Sequence, residues 1–248
     1  MVVEDFVMLG KTVPEPNSDS RVFVCSAGVS RELGGLLRIY PLARHEAPPR
    51  WTVNQVPLER NPKDHRPESW KLRGDRTPQA HEHINRVFRP VGTVPPGERR
   101  DLLARYVVDS LALANERRSS LAVIHPVGAP SLRFDFNPDS PESPQLCMFD
   151  EFRPSTPSAG AKRFSYVPRV EFQDGEGHHS LTLRDWGCFE FMRKQGDERR
   201  HELRAALHLD AECSLLVGNL NHHRTGWLVI SVLRGIRPDR QQSLWAMP

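Results

Sequence analysis

The sequence predicts an α+β fold: a curved, mostly antiparallel sheet or barrel with two or three packed helices. Three observations carry this. Short apolar runs with strand character crowd both ends of the chain. One stretch with helical spacing lies in the middle, and shorter helical pieces come late. Successive strands are joined by turns instead of alternating with helices, as βαβ units would. The 248 residues are read as a single α+β domain, 1–248, with a flexible Pro/Ser-rich insertion at 137–160.

Met1–Gly10 holds an apolar run that reads as a first strand, and Lys11–Asp19, with Pro14, Pro16 and Asn17, reads as a loop. Val22–Ala27 and Leu36–Tyr40 flank a glycine-bearing turn, which is a hairpin signal. Trp51–Val56 alternates as a strand. Gln79–Val87 reads as a short helix, and Glu98–Arg117 as the best helix of the chain, with Leu102, Leu103, Tyr106, Val107, Leu111 and Leu113 near helical spacing. Ser120–His125 and Ser131–Phe136 follow as strands. Lys162–Phe172 has strand character, but Pro168 cannot donate to a ladder, so the run is assigned to an edge or a bulged strand. Ser180–Leu183 completes a hairpin across Asp174–Gly177. Two helical pieces then meet near Gln195-Gly196, and Ser214–Val217 pairs with Trp227–Leu233 around a polar tip.

The formal net charge is +3, with 11 histidines and far more arginine than lysine. Such a balance permits a polyanionic partner without requiring one. The four cysteines, Cys25, Cys147, Cys188 and Cys213, form no Cys-x-x-Cys pair. The expectation is therefore no metal and no cofactor, in a reduced, cytoplasmic setting. No apolar run reaches membrane-spanning length, and the first residues do not make a signal peptide, so no membrane partner is expected.

Phosphate-loop, dinucleotide and serine-elbow motifs are absent. The histidine pairs His178-His179 and His222-His223 lack the frame of a zinc deaminase. Two places carry the remaining chemistry. Asp64 and Glu68 bracket Arg66 in a proline-bounded loop. One carboxylate could activate water while the other assists a leaving group, and Arg66 could hold a phosphate by a bidentate contact. A solvated loop with local ion pairs is the plainer alternative. Lys71 and Arg73 extend the basic cluster. Arg38 alternates with Leu37 and Ile39, so it points to the opposite strand face, where it could meet phosphate. The second place is the last hairpin tip. There Asn219, His222 and His223 could read base edges and Arg224 could reach phosphate. A polar turn without a ligand is the alternative.

Four phrases together carry a resemblance. They are Val24-Cys25-Ser26-Ala27-Gly28 with Arg38-Ile39-Tyr40-Pro41; Asp64-x-Arg66-x-Glu68-Ser69; Phe164 to Asp185-Trp186; and Leu216-Val217-Gly218-Asn219 with His223 and Trp227-Leu228. The set resembles a bacterial family of small, mostly uncharacterised proteins associated with mobile elements and phage defence. The closing Gly-Asn…His…Trp-Leu hairpin resembles the last strands of PUA- and ASCH-like barrels, which implies binding of nucleic acid or modified bases. The expectation is a nucleic-acid-acting protein, DNA before RNA. Its first form is a base-acting hydrolase of DNA glycosylase type in anti-phage defence. The alternatives are a non-catalytic PUA/ASCH-like reader of modified bases or RNA, and a nuclease.

Overall fold

The computed structural model describes residues 1–13, 15–16, 22–43, 47–74, 87–136, 164–221 and 223–234, and among these seven strands lie between Val2 and Thr93. They are β1 (Val2–Lys11), β2 (Glu15–Pro16), β3 (Val22–Ser30), β4 (Gly35–Ala43), β5 (Thr52–Arg60), β6 (Ser69–Leu72) and β7 (Arg89–Thr93). The order β1-β3-β4-β6-β5 closes on itself because β5 pairs back to β1, with Val3 opposite Val56 and Val7 opposite Val53. Five strands thus make a closed barrel, with β7 added to β5 and β2 to β3. Closure needs strong curvature, and β1 supplies it through register shifts between Val3 and Phe6 and between Met8 and Gly10. Phe6, Met8, Leu37, Ile39, Val56 and Leu58 belong to one buried apolar cluster of the barrel.

A second sheet packs against the barrel. It runs β14-β13-β9-β8, from β8 (Val107–Val108), β9 (Leu121–Ile124), β13 (Ser214–Asn219) and β14 (Trp227–Leu233). Every residue of β9, β13 and β14 is buried. That is the signature of a sheet covered on both faces, and the strand period of two divides the residues between two cores. Leu121, Val123, Leu216 and Ile230 join barrel residues such as Leu9 and Ala27. Ala122, Ile124, Leu215 and Val217 join the helices on the other side. Those helices are α2 (Leu111–Glu116), α3 (Trp186–Gln195) and α4 (Leu203–Leu207); α1 (Arg99–Ala104) lies toward the barrel, with Leu102 and Leu103 in the first core. A third sheet, β10 (Ser131–Phe136), β11 (Tyr166–Gln173) and β12 (His178–Thr182), also contributes to the helical side.

The architecture is the predicted α+β one, but the short strand β2 falls within the expected Lys11–Asp19 loop, and two expected elements take another form. Glu98–Arg117 is not one helix. Val107-Val108 leaves the helical path to pair in parallel with Val123-Ile124. Ser110 then starts a new helix, its Oγ accepting the Leu113 amide at 3.0 Å while Asp174 Oδ2 accepts that of Leu111 at 2.9 Å. Nor is the Pro168 strand an edge: β11 is the middle strand of its sheet. The ladder with β12 runs only from Arg169 onward, and at Pro168 the bond is made by its carbonyl, accepting from Leu183 N at 2.9 Å. The missing donor therefore falls at the end of the ladder. The Gln79–Val87 helix and the 137–160 insertion lie outside the described residues, apart from Val87, which sits in a turn.

No helix is long and apolar enough to cross a membrane among the described residues.

Candidate functional site

β4 and β6 pair in parallel with Arg38 opposite Ser69, which brings the β5–β6 loop, residues 61–68, against the second sheet. Leu37 and Ile39 point into the barrel, so Arg38 points out of it, as the alternation requires. The outside at this point is not water. The second sheet covers it, and Arg38 is 0% exposed. Its Nη2 donates to the Ser120 carbonyl at 3.0 Å and to that of Asn219 at 3.5 Å, and its Nη1 to Ser120 Oγ at 3.5 Å. The approach is close: a Cβ at 218 would stand 2.9 Å from Arg38 Nη2 and 2.6 Å from Ile230 Cδ1, so those side chains would have to shift to admit one.

Asp64 and Arg66 are buried beside it. Asp64 Oδ1 accepts from Arg66 Nε at 2.8 Å and Oδ2 from Arg66 Nη2 at 2.5 Å, a bidentate pair. The Ser69 hydroxyl donates to Oδ2 as well. Arg66 Nη1 reaches across to the Asn219 carbonyl at 2.6 Å. Glu68 is half-buried and holds Ser120 at both ends, Oε1 accepting from its amide at 2.8 Å and Oε2 from its hydroxyl at 2.7 Å. Two guanidiniums and two carboxylates therefore form a neutral set at the junction of barrel and sheet.

Burial drives the Arg38 guanidinium down to about 10, and the neighbouring charge of Arg66 adds to this; the group stays protonated near neutrality. Burial pushes the Asp64 carboxyl the other way, up, but the Arg66 hydrogen bonds and charge, the Ser69 hydroxyl and Arg38 outweigh it and hold the carboxyl below its ordinary value. Among the described residues, two polar atoms of the set, Arg38 Nε and Asn219 Oδ1, have no protein hydrogen-bond partner.

Five of the sequence-predicted residues, Arg38, Asp64, Arg66, Glu68 and Asn219, are thus brought into one network, although they come from both expected places. Their accessibility differs from expectation. Arg38 and Arg66 do not face phosphate; the second sheet encloses them, and their donors go to carbonyls and to Asp64. Asn219 does not present its side chain at the tip. It is buried, and its Nδ2 donates to Arg224 O at 3.0 Å and Ser119 O at 3.4 Å, closing the turn. Lys71 pairs with Glu59 at 2.7 Å. Arg73, His223 and Arg224 are exposed, and His222 lies outside the described residues.

Ser120 is the residue that sequence reasoning missed. A serine ahead of an apolar run carries no local signal, and its importance comes only from the Glu68 and Arg38 side chains that meet it. Arg117 and Arg118 were missed with it, both exposed just ahead of Ser119 and Ser120. Exposed basic residues therefore flank the buried network on three segments: Lys63 and His65 on the β5–β6 loop, Arg117 and Arg118 before β9, and His223 and Arg224 on the β13–β14 turn. Among the described residues no His, Cys, Asp and Glu side chains converge as a metal-binding group of three or more.

A small closed barrel fused to a second sheet through a buried ion network is the class of structure this defines. Residues 3–89 match a family model described as a domain of unknown function (DUF8758). The match covers the barrel strands and carries Arg38, Asp64, Arg66 and Glu68; Ser120 and Asn219 come from outside it. No curated protein matches the chain.

Proposed function

We propose that the protein is a non-catalytic nucleic-acid reader, whose three basic segments around the barrel–sheet junction contact the phosphate backbone. The observation that carries this reading is the convergence of those segments on one rigid support. Arg66 fastens the β5–β6 loop to Asn219, Glu68 fastens it to Ser120, and Asn219 fastens the β13–β14 turn through Arg224 O. Loops so held keep their exposed cations in place, which lowers the ordering cost of binding. The same network weakens the hydrolase and nuclease readings. A general acid or base must reach the proton it moves, and both oxygens of Asp64 and of Glu68 are already taken by protein donors.

Labelled single-stranded DNA, duplex DNA and RNA, with normal and modified bases, provide the test at low salt. Binding is expected, falling steeply as salt rises. Arg118→Gln with Arg224→Gln should reduce the slope of log affinity against log salt by about one for each arginine removed. The DNA should be intact after alkali. No binding to any of these at low salt removes the reading. Alkali-labile DNA formed by the wild type but not by Asp64→Asn would return the glycosylase reading to first place.

A further inference from the structure

Away from the junction, an open cleft of about 360 Å³ is lined by Leu132, Phe134, Glu198, Arg200, His201 and Arg204. The size falls in the range of about 300–1,000 Å³ that holds small-molecule ligands. Its composition is divided. Leu132 and Phe134 stand at alternate positions of β10, so both lie on one sheet face, and both pack partly on the helical-side core. They give the cleft an apolar, aromatic floor. The opposite wall is the 3-10 turn Asp197–Glu202 running into α4. It presents Arg200, His201 and Arg204, with Glu198 as the one acid.

The cationic wall is held by the protein's own contacts. The Arg200 guanidinium lies 3.9 Å from the centre of the Tyr166 ring, and its Nη1 donates to the Asp197 carbonyl at 2.9 Å. Arg204 Nε donates to the Leu209 carbonyl at 3.3 Å. His201 Nδ1 lies 3.2 Å from the Glu198 carbonyl. Each guanidinium is oriented by one such bond and keeps further N–H donors in a fork suited to phosphate.

We infer that this cleft is a nucleotide site, taking a base against Phe134 and Leu132 and its phosphate on Arg200 and Arg204. The three chemistries of the lining select this class together. An aromatic floor wants a planar group, two arginines want an anion, and Glu198 wants a hydrogen-bond donor such as a ribose hydroxyl or an exocyclic amine. A bare anion satisfies only the arginines and leaves the floor wet. The site stands apart from the basic segments of the junction and does not depend on that reading.

Calorimetric titration of the full chain with AMP, GMP, CMP and UMP, beside adenosine and inorganic phosphate, tests it. A mononucleotide should bind, and adenosine and phosphate should each bind at least about tenfold more weakly, since each lacks one charge-assisted or stacking contribution. Arg204→Gln should weaken the mononucleotide by about tenfold on the same ground. Phe134→Leu should weaken purine more than pyrimidine nucleotides, because the larger ring loses more contact. Arg118→Gln with Arg224→Gln should leave mononucleotide binding unchanged, which separates this site from the junction. A 5′-phosphorylated dinucleotide run beside AMP tells whether the nucleotide is taken free or as a strand end, and tighter binding of either supports the site. Far-UV circular dichroism and melting establish that the variants fold. Absence of binding by every nucleotide at millimolar concentration, phosphate binding as tightly as AMP, or wild-type affinity in both folded variants overturns the inference.

Discussion

Asp64 is only 3% exposed, and every acceptor direction that matters is filled by Arg66 or Ser69. Neutralising it leaves the two guanidiniums of Arg66 and Arg38 in the same enclosure with Glu68 as the one remaining counter-charge of the set. Asp64→Asn should therefore destabilise the protein by about 3–5 kcal/mol, the usual cost of breaking a buried pair from one side. An exposed loop pair would cost at most about 1 kcal/mol. The pH dependence has a definite sign. The native carboxyl titrates below its unfolded value, so its contribution is complete above about pH 4 and is lost as pH falls through the native value. Urea unfolding from pH 7 down to about pH 2.5 should show the gap between wild type and Asp64→Asn holding and then closing at the acid end. A gap that stays constant throughout would remove the linkage.

Among the elements, α3 depends most visibly on a single side chain. Asp185 is fully buried and caps the helix, Oδ1 accepting from Gly187 N at 2.5 Å and Cys188 N at 3.2 Å. Its other oxygen takes Arg50 Nη2 at 2.6 Å and the Val232 amide at 3.1 Å. One carboxylate thus starts a helix, holds an arginine from the β4–β5 connection and fastens β14. Asparagine caps a helix about as well as aspartate but brings no charge. Asp185→Ala should then cost roughly 3 kcal/mol or more, and Asp185→Asn clearly less. Equal losses in equilibrium unfolding would mean that the cap matters little and the charge carries the effect.

The whole molecule is joined by more than this contact. The core between barrel and second sheet takes Leu9 and Ala27 from one side and Val123, Leu216 and Ile230 from the other. At its edge the strands come so close that a Cβ on Gly10 would stand 2.4 Å from Ser231 Cβ. A shared core should make barrel and sheet unfold together. Tryptophan fluorescence, with Trp51 and Trp70 in the barrel region and Trp227 in the sheet, should lose signal at the same denaturant concentration as far-UV circular dichroism. Two separated transitions would show that the barrel is stable alone. The basic segments at the junction come from both halves, so two transitions would also predict that the proposed nucleic-acid binding is lost with the first.

Periodicity alone determined which face each strand residue takes. Arg38 points away from Leu37 and Ile39 because Cβ direction alternates along any strand, and the bounds of Ser131–Phe136 and Trp227–Leu233 were legible to the residue, although Phe136 of the expected apolar face is exposed. Local pattern also picked out Asp64, Arg66, Glu68 and Asn219, which the fold joins in one network. What covers a face is a different question, and only the tertiary structure decided it. Arg38 looked like a residue meeting solvent or phosphate because its neighbours in sequence are strand residues; the residues that bury it, Ser120 and Asn219, lie 82 and 181 positions away. The split of Glu98–Arg117 has the same cause. Its apolar spacing suits a helix, yet Val107-Val108 pairs in parallel beside β9, a partner that no local window contains. Turn chemistry and alternation are properties of neighbours in the chain, whereas burial of a charge is a property of whatever the fold lays on top of it.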